Sequence, residues 1–309
     1  MERETLLSLL TGEISLWPYL EEARRLREEH FGRRVETCAI VNAKSGRCPS
    51  DCRFCAQSAH WKTRAPEYPL LSEDELLRAA EAATRAGIDR FSLVTSGVRP
   101  SSGELERLAR VVERVRREFP GLKLCASLGQ LSLPELEMLR AAGLSRYHHN
   151  LETAESFYPR ICSHQRWRDR YETALRVKEA GLSLCCGGIF GLGESEEEIL
   201  ELAETLAELS PDSVPVNFLH PIPGTPLERA RYLTPLKCLA ILVALRLKLP
   251  RTQIRVCGGR EYNLRELQVF VPLICDALMV GNYLTTRGRR LSDDRQMILD
   301  LGYTSGLKA

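Results

Sequence analysis

Eight short runs of β-branched and apolar residues recur along this chain with helical patterns between them, and no other feature limits its fold so strongly. The runs are VETCAIVNA (35–43), RFSLVTS (90–96), LKLCASL (122–128), RYHHNLE (146–152), LSLCCGGIF (182–190), SVPVNFL (213–219), QIRVC (253–257) and DALMVG (276–281). Amphipathic patterns lie between them, among them 72–87, 104–119, 132–143 and 194–209. Ser72 with Glu75 spells a capping box, and Gly87, Gly143 and Gly181 stand where helices close. Parallel strands need a crossover connection, so strands separated by helices predict a parallel sheet. Eight such units predict an α/β fold, a (β/α)8 TIM-type barrel with N-terminal helices. An open doubly wound sheet is the alternative. Residues 2–30, rich in Leu, Glu and Arg, read as two amphipathic helices. The chain is therefore read as one domain, 1–309: N-terminal helices over 1–34, a barrel core over 35–285 and a C-terminal helical segment over 286–309.

In such a barrel chemistry gathers at the C-terminal ends of the strands. The loop after the first run carries CPSDCRFC, with Cys48, Cys52 and Cys55. Three soft thiolates so close together can hold three corners of an iron–sulfur cube. The missing fourth ligand leaves one iron open, which is what cleavage of a bound sulfonium requires. A zinc site would more often use two Cys-x2-Cys knuckles or add histidine, and the nearest, His60, lies past the motif. A chance group of buried thiols fits poorly among Lys44, Ser45, Gly46, Arg47, Pro49, Ser50, Asp51 and Arg53, a polar loop.

The chain has eleven cysteines, a net charge of +2 and no clustering of one sign that would argue for nucleic acid or an anionic membrane. No apolar stretch approaches ~20 residues, and the start, MERETLLSLLTGEISLW, lacks a signal-peptide layout. The expectation is a cytoplasmic protein whose many thiols serve metal or redox chemistry rather than disulfides.

Thiols recur inside the strand runs: Cys38 in the first, Cys125 in the third, Cys185 and Cys186 in the fifth, Cys257 ending the seventh. Strand side chains alternate, so only one of Cys185 and Cys186 points inward, and Arg255 shares the face of Cys257. Singly, each cysteine reads as a small core residue; together they point to a second cluster, and an arginine buried beside them needs an anionic partner. His148, Asn150 and Glu152 share one face of the fourth run, with His149 turned away. CCGGIFGLGE (185–194) is a glycine-rich turn that lets backbone approach a flat ring or an anion. Asn217 ends the sixth run, and Thr285 and Thr286 follow the eighth.

The spacing Cys-x3-Cys-x2-Cys, with Phe54 before its last cysteine, resembles the signature of radical S-adenosylmethionine enzymes. In this order CPSDCRFCAQS, YHHNLET, CCGGIFGLGE, SVPVNFLHPIPGTPL, IRVCGGRE and YLTT resemble the biotin synthase family, from about Val35 to Leu301. The resemblance implies a barrel enzyme, usually a homodimer, that inserts sulfur into dethiobiotin using an electron from flavodoxin or ferredoxin. It implies a 4Fe–4S cluster on Cys48, Cys52 and Cys55, with Arg170, Asn150, Glu152, Phe54 and the turn Gly187, Gly188, Ile189 and Gly191 around S-adenosylmethionine. His148, Asn150, Asn217, Thr285 and Thr286 would line the dethiobiotin site. Cys125, Cys185 and Arg255 match ligands of an auxiliary 2Fe–2S cluster, the sulfur source. Three positions depart from the family: Ser92 replaces a cysteine ligand of that cluster, His148 an asparagine and Glu152 an aspartate. The expectation is that Cys38 joins Cys125 and Cys185 in a differently built auxiliary cluster, either 2Fe–2S or a 4Fe type with an extra sulfide. Cys162 and Cys257 are weaker candidates. A lipoyl-type sulfur inserter, a hydrogenase maturase-like enzyme, or a zinc or electron-carrying protein without catalysis are the rivals.

Overall fold

The computed structural model describes residues 1–308. Its strands are β1 (Glu36–Lys44), β2 (Arg90–Thr95), β3 (Lys123–Ser127), β4 (Arg146–His148), β5 (Ser183–Cys185), β6 (Gly188–Phe190), β7 (Ser213–Phe218), β8 (Gln253–Val256) and β9 (Ala277–Met279). All their pairings are parallel, in the order β5-β4-β3-β2-β1-β9-β8-β7-β6, and a β5–β7 pairing closes the ring. β5 and β6 together fill one position, so the sheet is the expected eight-stave barrel with helices around it. Among the described residues, no helix is long and apolar enough to cross a membrane.

Alternation along the strands separates two environments. Phe91 and Leu93 of β2 and Ile254 and Val256 of β8 are buried apolar residues of the layer between barrel and helices. Ser92 and Val94, and likewise Arg255 and Cys257 just past β8, line the interior. Capping boxes start the helices Glu73–Arg85, Ser102–Glu118 and Glu196–Leu209, where Ser72, Ser101 and Ser195 accept from the backbones of Glu75, Glu104 and Glu198. Each cap contributes about 1 kcal/mol.

Helix Pro235–Lys248 is buried from Cys238 through Leu247, because the N-terminal helices Arg3–Thr11 and Leu16–Phe31 lie over it. Arg246 fastens this helix to the barrel. Its Nε donates to the Ile274 carbonyl at 3.0 Å, Nη1 to that of Thr252 at 2.9 Å, and Nη2 to the Asp276 carboxylate. Asp276 also accepts the Ile254 N–H at 3.0 Å. Arg246→Leu strands that carboxylate without its counter-charge and is expected to cost about 3–5 kcal/mol. A urea-unfolding free energy lowered by less than about 1 kcal/mol would show that the pair does not hold the helix down.

Two strands differ from their expected extents. The fifth breaks at Cys186–Gly187, because the backbones crowd there: a Cβ on Gly187 would sit 2.2 Å from the Pro215 carbonyl oxygen, and one on Gly188 2.5 Å from that of Glu152. The fourth ends at His148 instead of Glu152, whose φ is +72°. Its continuation still bonds to the fifth, through His149 N–H to the Cys185 carbonyl, Leu151 N–H to Gly187 and Ile189 N–H to Glu152. Alternation therefore stops applying after His148. The expectation that His149 faces away from His148 fails, and both line the interior.

Candidate active site

The cysteine loop follows β1 at the barrel mouth. Gln57 shapes it: its Oε1 accepts the Ser45 hydroxyl at 3.0 Å and the Gly46 N–H at 3.3 Å, and its carbonyl accepts the Cys48 N–H at 3.0 Å. Gly46 and Arg47 turn the chain with φ of +80° and +51°. The Cys52 carbonyl accepts the Cys55 N–H and the Trp61 indole N–H, both at 3.0 Å. Cys52 is buried, whereas Cys48 and Cys55 are half-exposed. The Sγ of Cys162 lies 3.7 Å from that of Cys52.

One cavity of about 380 Å³ runs from this loop into the barrel. Cys48, Cys52, Phe54 and Cys55 line its mouth; Cys38, Cys125, Cys185, Arg255 and Cys257 line its depth, with Ser92 in the same wall. His148, Asn150, Glu152, Arg170, Ile189, Asn217, Thr285 and Thr286 line it as well. Cys186, buried, is not among the lining residues, as alternation from Cys185 requires. Nor are Gly187, Gly188 and Gly191. A Cβ on Gly191 would sit 2.5 Å from the Leu233 side chain, so neighbouring protein occupies the space beside all three glycines. Their spacing in the sequence reports close packing of strands and turn, and Ile189 alone of that turn meets the cavity.

The depth of the barrel is cationic. Glu36 pairs with Arg255 at 3.0 Å, Arg90 at 3.3 Å, Lys123 at 3.3 Å and Arg146 at 3.9 Å. Burial pushes the Glu36 carboxyl up, but Arg90, Arg255 and Arg146 outweigh it and hold it down at about 2. Stability from that pairing is present above the ordinary carboxylate range and is lost as pH falls towards about 2. One carboxylate leaves several guanidinium charges over, and the thiols stand among them. The Sγ of Cys185 lies 3.5 Å from His148 Nδ1 and 3.8 Å from Arg255 Nη1. Burial raises the Cys185 pKa, yet His148 and Arg255 outweigh it and favour the thiolate. For Cys38 burial wins and pushes the thiol up.

Nearer the mouth, Arg170 Nε donates to the Tyr158 hydroxyl at 2.9 Å, and Nη1 to the Asn150 carbonyl at 3.0 Å and to Glu152 at 3.3 Å. Asn150 Nδ2 donates to Glu152 at 3.3 Å, and its Oδ1 accepts the Gly187 N–H at 3.2 Å. Asn217 donates to the Gly188 carbonyl and accepts the Gly258 N–H.

These residues fit iron–sulfur clusters and a polar ligand. Among the described residues no three side chains converge closely enough for a single metal ion. A multi-iron cluster takes thiolates held apart, one at each corner. Three buried polar atoms of cavity residues, Thr95 Oγ1, His149 Nε2 and Arg255 Nε, lack partners among the described residues. Such atoms are costly unless a ligand meets them. The sequence reading missed His149, because strand alternation turned it away, and Tyr283, whose hydroxyl donates to Glu261 at 3.0 Å. It also missed Gln57, for which two positions past Cys55 was the available signal.

Residues 42–206 match the Radical SAM superfamily, and 215–304 match the Biotin and Thiamin Synthesis associated domain. The chain is 52% identical over 278 residues to biotin synthase of Desulforudis audaxviator, covering 90% of this chain and 84% of that protein. It is 50% identical over 284 residues to biotin synthase of Geobacter sulfurreducens, covering 91% and 86%. Among solved structures, methylornithine synthase superposes with a TM-score of 0.79 at 21% identity, over 99% of this chain and 90% of that one. The [FeFe]-hydrogenase maturase HydG of Carboxydothermus hydrogenoformans does so with a TM-score of 0.79 at 21% identity, over 98% and 78%; both likenesses concern the fold alone. With a closed barrel, a three-cysteine loop at its mouth and relatives half identical along nearly its whole length, the chain belongs to the biotin synthase family of radical S-adenosylmethionine enzymes.

Proposed function

We propose that this cavity is where dethiobiotin receives sulfur and becomes biotin, and that the chain 1–309 works as one unit. One observation carries the reading: a single cavity joins the three loop cysteines to a deeper group of thiols around Arg255, with polar side chains between. Cys48, Cys52 and Cys55 would hold a 4Fe–4S cluster; Cys38, Cys125, Cys185 and Arg255 would hold the auxiliary cluster, a 2Fe–2S or a 4Fe type with an extra sulfide. When bound, these clusters and S-adenosylmethionine supply a carbon radical that takes hydrogen from the substrate and the sulfur that replaces it.

The chain's own residues position the reactants and exclude water. Arg170 faces the carboxylate of S-adenosylmethionine, held by Tyr158, the Asn150 carbonyl and Glu152. Asn150 and Glu152 reach the ribose, and Phe54 and Ile189 give apolar walls to the cofactor. Gly187, Gly188 and Gly191 act indirectly, by allowing the close packing that places Ile189. His148, Asn150 and Asn217 orient the ureido ring, and Thr285 and Thr286 donate to the substrate carboxylate. Arg255, beside Cys185, balances the charge of the thiolates. A flavodoxin or ferredoxin supplies the electron, and the enzyme works as a homodimer in the cytoplasm. Its eleven free thiols, nine of them buried, support a reducing compartment.

The test is anaerobic turnover of reconstituted protein with dethiobiotin, S-adenosylmethionine and a reductant. Biotin and 5′-deoxyadenosine are expected together. 5′-Deoxyadenosine without biotin, from protein holding both clusters, would overturn the substrate assignment.

A further inference from the structure

Cys162 is a buried thiol that the chemistry of the cavity does not use. It follows the short helical turn Tyr158–Arg160, in the segment between β4 and helix Trp167–Glu179. Cys52 lines the cavity and Cys162 does not, which sets Cys162 apart from the deep thiols around Arg255. Its Sγ nevertheless lies 3.7 Å from that of Cys52, 110 residues earlier in the chain.

The contact is built from both sides. Arg53 N–H, next to Cys52, donates to the carbonyl of Ile161, next to Cys162, at 2.9 Å. Asp51 accepts the backbone N–H groups of Ser163 and His164, both at 3.0 Å, and the Ser163 hydroxyl at 2.6 Å. Asp51 also accepts the Cys162 thiol at 3.3 Å, and Gln165 donates to the Ser50 hydroxyl. The chain on each side of one cysteine is tied to the chain on each side of the other, so the two sulfurs are held face to face. A position that needed only packing would take any small apolar residue; a thiol against a thiol can also form a bond. A disulfide holds its sulfurs about 2 Å apart, so from 3.7 Å the remaining gap is under about 2 Å.

We propose that Cys52 and Cys162 form a site of reversible oxidation: they join as a disulfide when the loop cluster is lost and open again before it is rebuilt. The inference rests on the reading that Cys52 holds iron. A sulfur bound to iron cannot pair with Cys162, so cluster and disulfide exclude each other. The oxidant is a peroxide. Hydrogen peroxide first converts one thiol to a sulfenic acid and releases one water, with the O–O bond broken. The second thiol then displaces the hydroxyl as another water, and the S–S bond forms. Two thiols lose two electrons and two protons, and the peroxide gains them. A dithiol reductant returns both and reopens the pair. A sulfenic acid with no thiol in reach goes on to sulfinic and sulfonic acids, which thiol reductants do not reverse. Cys162 stops Cys52 at the reversible stage, so the loop keeps a sulfur that can take iron again.

The test starts from full-length, iron-loaded enzyme. Hydrogen peroxide is added until the visible absorbance of the clusters is gone, free thiols are blocked with iodoacetamide, and the digested chain is read by tandem mass spectrometry. Peptides linked through Cys52 and Cys162 are expected in the bleached enzyme and not in the loaded one. Dithiothreitol opens the link, and anaerobic reconstitution then restores iron and 5′-deoxyadenosine formation. Cys162→Ser and Cys162→Ala are expected to load the same iron and to cleave S-adenosylmethionine at the unaltered rate before bleaching. After bleaching and dithiothreitol they regain severalfold less iron than the unaltered enzyme, and their Cys52 carries sulfinic or sulfonic acid. Bleached, unaltered enzyme with no Cys52–Cys162 link, or with Cys52 linked to Cys48 or Cys55, overturns the proposal whatever the variants do. Equal recovery of iron in the variants overturns it too, as does less iron in a folded variant before bleaching, which would make Cys162 a ligand. If neither variant folds, the linked peptide in the unaltered enzyme decides. A Cys52–Cys162 link already present in fully iron-loaded enzyme would instead defeat the reading of Cys52 as a ligand.

Discussion

Alanine at Cys38 is expected to stop biotin formation while 5′-deoxyadenosine formation continues, with iron falling to that of the loop cluster. Three features of the barrel lead to this. Ser92 stands in register with Cys125 on β3 and Ile40 on β1, and a neutral hydroxyl is a poor ligand where thiolates are wanted. Cys38 lies two residues before Ile40 on β1 and lines the same cavity as Ser92, Cys125 and Cys185. The thiols share a field set by Arg90, Arg146 and Arg255, with Glu36 the carboxylate that those arginines pair with. Anionic ligands balance that charge, and binding metal replaces the thiol proton that burial otherwise retains on Cys38. Removing one sulfur from a buried site changes stability by about 1–2 kcal/mol, so the variant should fold and retain the loop cluster. Iron analysis with visible spectra after reconstitution decides: unchanged iron content would remove Cys38 from the ligand set. The parallel Cys257→Ala variant is expected to keep its iron.

The sequence disclosed the barrel because its signals were local. Ser72 with Glu75 was read as a capping box and does cap a helix, and the apolar runs recurred at barrel spacing. The loop cysteines were legible because three thiolates in eight residues have few other uses. What failed depended on contacts between distant strands. The break at Cys186–Gly187 arises from Pro215 pressing on Gly187, and nothing within LSLCCGGIF reports a carbonyl from the next strand. The end of β4 at His148 follows from that break, since its continuation bonds to carbonyls at Cys185 and Gly187 rather than to a regular ladder. His149 enters the cavity for the same reason. The glycines of CCGGIFGLGE were read as letting backbone approach a ligand; what a Cβ at Gly187, Gly188 or Gly191 would meet is Pro215, Glu152 or Leu233. Glycine marks a close approach without saying what approaches.

Arg170→Met is expected to lower S-adenosylmethionine cleavage by about 10²-fold or more and to weaken its binding, because a misplaced reactant loses its alignment with the reacting centre. Arg170 is buried, and its guanidinium fixes three partners at once: Tyr158, the Asn150 carbonyl and Glu152. Nη2 donates to none of the described residues, which leaves it open to the carboxylate proposed to bind here. Loss of the guanidinium also leaves Glu152 without its counter-charge at a residue with φ of +72°. Breaking a buried pair in this way costs about 3–5 kcal/mol, so activity and folding must be separated. Arg170→Lys does that. It keeps the charge beside Glu152 and recovers part of the stability, but a single ammonium cannot hold the Tyr158 and Asn150 contacts and also meet a carboxylate with a planar fork. Recovered unfolding free energy without recovered cleavage is therefore the expected result, read from urea unfolding and equilibrium dialysis of S-adenosylmethionine. Full recovery of cleavage in Arg170→Lys would mean that the arginine acts only as a point charge that steadies Glu152.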